Sequence, residues 1–147
     1  MKAYFINSEG YSAPIDHYEY SFLNILAPTP IYDFRLHHVR PLSFFDYQGR
    51  TIKPKSRYLT DFGSIPRPVQ AIITPNRISY LFHDSGYKSG GLSINGSFKE
   101  LERKEIDDLL LEMLLVEGEA FAKSYAVWCA VRMFGWTRYK SSKVSVL

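Results

Sequence analysis

His83 and Asp84 stand side by side in the stretch YLFHDSGYKSG, residues 80–90, and Tyr87 follows the histidine by one helical turn. An imidazole and a carboxylate are costly to bury without partners. The stretch is therefore either a solvated helix end or half of a site. A second acidic pair, Asp107-Asp108, lies in the run RKEIDDLLLEMLLV. Positions three and four apart share a helix face. Asp107 then has Leu110, Leu111 and Leu114 above it and Arg103 below, on or beside the buried stripe. Asp108 has Lys104, Glu105 and Glu112 as neighbours and belongs to the solvated face. An ordinary Arg103–Asp107 salt bridge within the helix would account for much of this. The other partner is His83, if the two helices are antiparallel neighbours joined by a short loop. A carboxylate behind a histidine fixes its tautomer and raises its basicity, as a general base requires. Asp84 points about a third of a turn away from His83 and stays free to bind something else.

The third chemical element is TDFGSIP, residues 60–66, which contains Asp61, Phe62, Gly63 and Ser64. A bent loop presents backbone groups in one direction. With Asp61 and Asp84 it would form an oxygen-rich pocket suited to Ca²⁺, since no thiolate and only one well-placed imidazole is at hand. Taken alone, the loop reads better as a turn whose Asp61 caps the segment from Ser64 to Pro68.

These residues need elements to hold them. Up to residue 65 the chain runs in short β-branched and aromatic segments, KAYFIN, HYEYSFLNI, IYDFRLHHV, PLSFFDY and RYLTDF, separated by turn signals. FFDYQGRTI predicts a hairpin with Gly49 in its turn. From Pro66 the period becomes helical. RPVQAII reads as a short helix or turn, and NRISYLFHDSGYK as a helix capped by Asn76 and ended at Gly90-Gly91. SFKELERKEIDDLLLEMLLVEG predicts one long helix with Ser97 as N-cap, Glu100 completing a capping box and Gly118 as the stop. A last helix covers EAFAKSYAVWCAVRMFG and ends at Gly135. Strands first and helices after predict a single α+β domain over 1–147: a β-rich part at 1–65, a helical part at 66–135 and a basic tail at 136–147. Two antiparallel helices would carry the His–Asp site.

Composition narrows the function classes. Of 147 residues, 46% are apolar and 22% charged, ordinary for a globular chain. The net charge of +3 comes without a basic stripe, which argues against dedicated nucleic-acid binding. Cys129 is the only cysteine, so no intrachain disulfide forms. Neither a signal peptide nor a run long enough to span a bilayer is visible, which predicts synthesis in the cytoplasm.

TDFGSIPRP, HDSGY, the Arg103-to-Asp107 spacing and AVRMFG together resemble a family of uncharacterised proteins of bacteriophage and prophage genomes, over roughly residues 56–136. HDSGYK is also similar to the His-Asp-x-x-Tyr helix of phospholipase A2, and IDD with its leucine-rich run to the helix that supplies the aspartate behind the histidine. YAVWCAVRMFG is similar to the final helix of the bacterial members. That likeness implies His83 as a general base acting on water and Asp107 as its orienting carboxylate. It implies Asp61 and Asp84, with carbonyls near Phe62 and Gly63, as Ca²⁺ ligands, and Tyr87 as a hydrogen-bond partner of Asp107 or a brace for the helix pair. The expected activity is Ca²⁺-dependent hydrolysis of phospholipid-type esters. The chain departs from the secreted enzymes in lacking disulfides and in a Ca²⁺ loop with Gly63 alone between Asp61 and Pro66. His-Asp dipeptides also occur in metal-dependent phosphohydrolases. Those need further metal ligands on neighbouring helices, whereas His37-His38 sit in a strand-like run.

Two readings follow. One is a phage-encoded Ca²⁺-dependent hydrolase. The other is a non-catalytic virion, tail or assembly protein that uses the same scaffold to contact phage structural proteins. In either case the protein resides in the host cytoplasm or is packaged in the particle.

Overall fold

The computed structural model describes residues 2–20, 29–60, 77–135 and 139. Among them are nine strands and three helices, and every strand pairing is antiparallel. The mixed α+β class expected from the sequence is the observed one.

Five strands form one sheet in the order β1 (Tyr4–Ile6), β5 (Ser43–Phe45), β6 (Thr51–Lys53), β8 (Gly91–Ile94) and β9 (Ser97–Glu100). Successive residues of a strand face opposite sides. Phe44, Ile52, Leu92 and Ile94 therefore all turn inward and are buried. They meet Phe82, Ile106, Leu109 and Met113 from the helices α1 (Ile78–Ser89) and α2 (Arg103–Val116), which makes the main core.

The second sheet is built around β4 (Thr29–Leu36). One edge of β4 takes β2 (Tyr11–Ser12) and β3 (Ile15–Glu19), and the other takes β7 (Arg57–Thr60). Phe34 of β4 is fully buried against Tyr58 of β7 and Leu81 of α1. The Tyr58 hydroxyl donates to the Leu81 carbonyl at 2.5 Å, which ties this sheet to α1.

The β5–β6 hairpin forms as the sequence predicts, with Gly49 at φ 79°. Buried Asp46 fastens its turn by accepting from the amides of Gln48 and Arg50 and from the Arg50 guanidinium. The helix expected from Ser97 is corrected. Residues Ser97–Glu100 are a strand, paired with β8 across an Asn95-Gly96 turn in which both residues have positive φ. Asn-Gly supplies the two left-handed residues that a tight hairpin turn requires. The capping box exists, but Glu102 is the N-cap and Glu105 its partner, so α2 starts at Arg103.

The connection between α1 and α2 is thus a hairpin rather than a short loop. The two helices still run antiparallel, because Ser79 at the start of α1 meets Glu117 past the end of α2, while Gly86 meets Ile106. The third helix, α3 (Phe121–Phe134), packs Val127, Ala130 and Val131 on Leu110 and Leu114 of α2 and Tyr80 of α1. Gly118, at φ 87°, separates α2 from α3 where a stop is expected.

The N-terminus of α1 has Arg77 in the cap position and no cap of its own. Glu117 provides one from outside. Its carboxylate accepts from the Ile78 amide at 3.1 Å, the Ser79 amide at 2.6 Å and the Ser79 hydroxyl. An anion at this end also opposes the helix dipole favourably. Gly90, left-handed at φ 73°, closes the other end of α1. The expected cap Asn76, the RPVQAII segment and most of the basic tail lie outside the described residues.

Candidate active site

Tyr80, Leu81 and Phe82 are buried in three different clusters, which locks the rotation of α1 about its axis. That rotation presents His83 and Tyr87 to α2 on one flank, with ring centroids 4.1 Å apart. His83 Nε2 lies 2.8 Å from Asp107 Oδ1, and the Tyr87 hydroxyl donates to the same oxygen at 2.6 Å. Arg132 of α3 donates to Asp107 Oδ2 at 2.8 Å, and Arg103 approaches it at 3.5 Å. The Asp107 side chain has 0% exposure. A carboxylate this deep needs such a shell of donors, because desolvation otherwise penalises its charge.

Burial pushes the Asp107 carboxyl up. The hydrogen bonds from His83 and Tyr87, the charge of His83 and the Arg132 contact outweigh it and hold the group below its ordinary value. Tyr87 moves the other way: burial, and then the hydrogen bond to Asp107, push its phenol well up, so it remains a donor. Since Asp107 accepts at Oδ1, the hydrogen-bond network assigns the ring proton to His83 Nε2. Nδ1 is left as the basic nitrogen. Among the described residues nothing hydrogen-bonds Nδ1. The His83 side chain retains 11% exposure.

Asp108 takes the solvated role that helical phase gives it. It pairs with Lys104 at 2.7 Å and accepts from the Trp128 indole at 2.9 Å. Arg103 does more than pair with Asp107. It donates to the carbonyls of Val131 and Arg132 at 2.8 and 3.1 Å, so one guanidinium also satisfies carbonyls in the last turn of α3.

Asp84 is buried and faces away from this shell, toward the β4–β7 sheet. Lys88, one turn on, lies 3.5 Å from Asp84 Oδ2 and also donates to the Leu59 carbonyl. Burial and the negative charge of Asp84 together push the Tyr58 phenol well up. The structure therefore separates His83 and Asp84 onto different flanks. Asp61, Phe62, Gly63 and Ser64 lie outside the described residues. Among the described residues no group of three His, Cys, Asp or Glu side chains stands ready for a metal ion. Asp84 is of the right chemistry for Ca²⁺, a buried hard oxygen donor, and it already carries an ion pair with Lys88. His37 and His38 follow the end of β4 rather than sitting within a strand.

Three contributors escape sequence reasoning. Arg132 reaches Asp107 from a helix remote in sequence, and only its place in the last turn of α3 hints at a polar task. Gly86 lets the helices touch, because a Cβ there would lie 2.9 Å from Ile106 Cγ2. Gly135 leaves room for the Tyr87 hydroxyl, which a Cβ would meet at 2.5 Å. Two of the glycines in HDSGY and MFG are thus spacing requirements of the Asp107 shell.

Fold and site together define an α+β protein with a buried carboxylate, shared by a histidine and a tyrosine of one helix and by arginines of two others. The chain belongs to the family described as protein of unknown function (DUF1353), whose model matches residues 37–131. That span includes His83, Asp84, Tyr87, Arg103 and Asp107. No curated protein and no solved structure matches the chain. Among the described residues no helix is long and apolar enough to cross a membrane.

Proposed function

We propose that the protein is a phage-encoded hydrolase of phospholipid-type esters, with His83 as its general base. The observation that carries this reading is the His83–Asp107 contact at 2.8 Å, with Nδ1 left as the free basic nitrogen. The likeness to phospholipase A2 supports the choice of reaction. Water gives a proton to His83 Nδ1 as its oxygen attacks the ester carbonyl. Asp107 stabilises the resulting imidazolium through Nε2–H. The tetrahedral adduct then collapses, and the departing alkoxide takes the proton back from Nδ1, which restores the base. Tyr87, Arg103 and Arg132 keep Asp107 ionised and fixed throughout. Asp84 and Asp61, with the carbonyls near Phe62 and Gly63, would hold Ca²⁺, which when bound supplies a Lewis acid on the Asp84 flank of α1.

The second reading, a non-catalytic virion, tail or assembly component, is favoured by a different observation. Phe121, Tyr125 and Met133 of α3 are exposed at multiples of four residues along one stripe of the last helix, a surface suited to contact with another protein.

The deciding experiment is hydrolysis of phospholipid vesicles by the wild type and His83→Ala, with and without millimolar Ca²⁺. The hydrolase reading expects fatty-acid release that requires both His83 and Ca²⁺. Absence of release by the wild type under all conditions would leave the docking reading in place.

A further inference from the structure

A cavity of about 350 Å³ opens between the outer face of the five-stranded sheet and the β6–β7 connection. It stands apart from the His83–Asp107 pair, beyond the C-terminal end of α1. Strand register explains its wall. Lys53, Ser93 and Phe98 lie abreast on β6, β8 and β9, and Ile52 on the core side fixes Lys53 to the opposite face. Leu36 and Pro54 complete an apolar lining, and the Leu36 amide donates to the Ser56 carbonyl at 2.8 Å, which pins the far wall. The Lys55 amide is held by the Ser85 hydroxyl at 2.7 Å, so the connection bearing Lys55 is anchored to α1.

Two features select an occupant. Phe98 is 57% exposed although it borders an apolar recess, so an apolar ligand would cover it. The charged residues that line the cavity are Lys53 and Lys55, with no carboxylate among the lining residues. Neither lysine has an ion-pair partner among the described residues. A binding pocket of this size, mostly apolar with a few placed polar groups, suits a small ligand. At roughly 30 Å³ for each water-sized portion, it takes about a dozen non-hydrogen atoms.

We propose that this cavity binds a free single-chain carboxylate of medium length, the chain lying against Leu36, Pro54 and Phe98 and the carboxylate between Lys53 and Lys55. The inference rests on the cavity alone and is independent of catalysis at His83.

The test is titration of the full chain with decanoate below its micelle-forming concentration, followed by backbone amide shifts in NMR spectra. Saturable changes are expected at Leu92, Ser93 and Phe98. Affinity should rise roughly fourfold per methylene from octanoate to decanoate. Lys53→Met combined with Lys55→Met should weaken decanoate about tenfold while leaving decanol unchanged. Phe98→Ser, at an exposed position that tolerates a polar residue, should weaken both ligands. The proposal is overturned if decanoate gives no saturable shifts, or if the shifts fall elsewhere. Equal affinity for decyltrimethylammonium, or wild-type decanoate affinity in the lysine variant, overturns it as well.

Discussion

Arg132 Nη1 donates to Asp107 Oδ2 at 2.8 Å, on the side of the carboxylate opposite the oxygen shared by His83 and Tyr87. One buried charge thus joins all three helices. Removing it takes the carboxylate from Arg132 and leaves Arg103 with its carbonyl acceptors alone, whereas Asp108 one residue on serves only an exposed pair and an indole. Asp107→Asn should therefore cost about 3–5 kcal/mol of stability, the range for breaking a buried ion pair. Asp108→Asn should cost less than about 1 kcal/mol. Urea unfolding of the two variants checks this, and equal costs would contradict the helix phase.

Acid should reveal the same carboxylate. In the folded protein Asp107 titrates below the ordinary aspartate value, because its hydrogen bonds and the charge of His83 outweigh burial. Its contribution is fully present above the unfolded value and is lost as pH falls through the folded one. Stability should accordingly decline below about pH 4, near the unfolded aspartate value. In Asp107→Asn that part of the slope should vanish, although the variant is weaker at neutral pH. Denaturant midpoints measured across pH 2–6, in roughly unit steps, give the comparison.

Glu117 caps α1 from the far end of α2, so its effect should be felt on the helix that bears His83. Glu117→Ala leaves the Ile78 and Ser79 amides without that acceptor and should cost about 1–2 kcal/mol, as loss of a strong cap does. Glu117→Gln keeps an acceptor oxygen and should cost less. Hydrogen exchange should quicken first at the amides of Ile78, Ser79 and Tyr80. Exchange that is unaltered there would show that the cap is not what orders this end.

Ca²⁺ binding confined to the native state raises stability by about 2.7 kcal/mol at a hundredfold excess over the dissociation constant. A rise in melting temperature with Ca²⁺ is expected, smaller with Mg²⁺, which sheds water reluctantly. Asp84→Ala should abolish the response and His83→Ala should retain it, since the two side chains face different flanks of α1. A melting curve indifferent to millimolar Ca²⁺ would remove the metal from the proposal.

Much of this arrangement is legible in the sequence, for identifiable reasons. Helical phase alone puts Asp107 toward the leucine stripe and Asp108 toward Lys104, and both lie so. Gly49 and Gly118 mark a turn and a helix stop because both need the left-handed region that glycine enters freely. The β8–β9 hairpin is misread because Ser97 followed by Glu100 imitates a capping box. Asn95-Gly96, just before it, is the stronger local signal, and edge pairing to β8 wins over helix propensity. Arg132 and Glu117 are illegible for another reason. Their partners are brought to them by helix packing, and no local pattern encodes a contact that distant in sequence.

In the proposed hydrolase Asp107 holds the proton on His83 Nε2 and leaves Nδ1 as the base. Long-range proton–nitrogen correlation of the imidazole ring, in protein labelled with ¹⁵N at histidine, tests it most directly. At a pH where the ring is neutral, a protonated Nε2 and an unprotonated Nδ1 are expected, with this preference lost in Asp107→Asn. A neutral ring protonated at Nδ1 in the wild type would rule this out, because the basic nitrogen would then be Nε2, which faces Asp107 and not an attacking water.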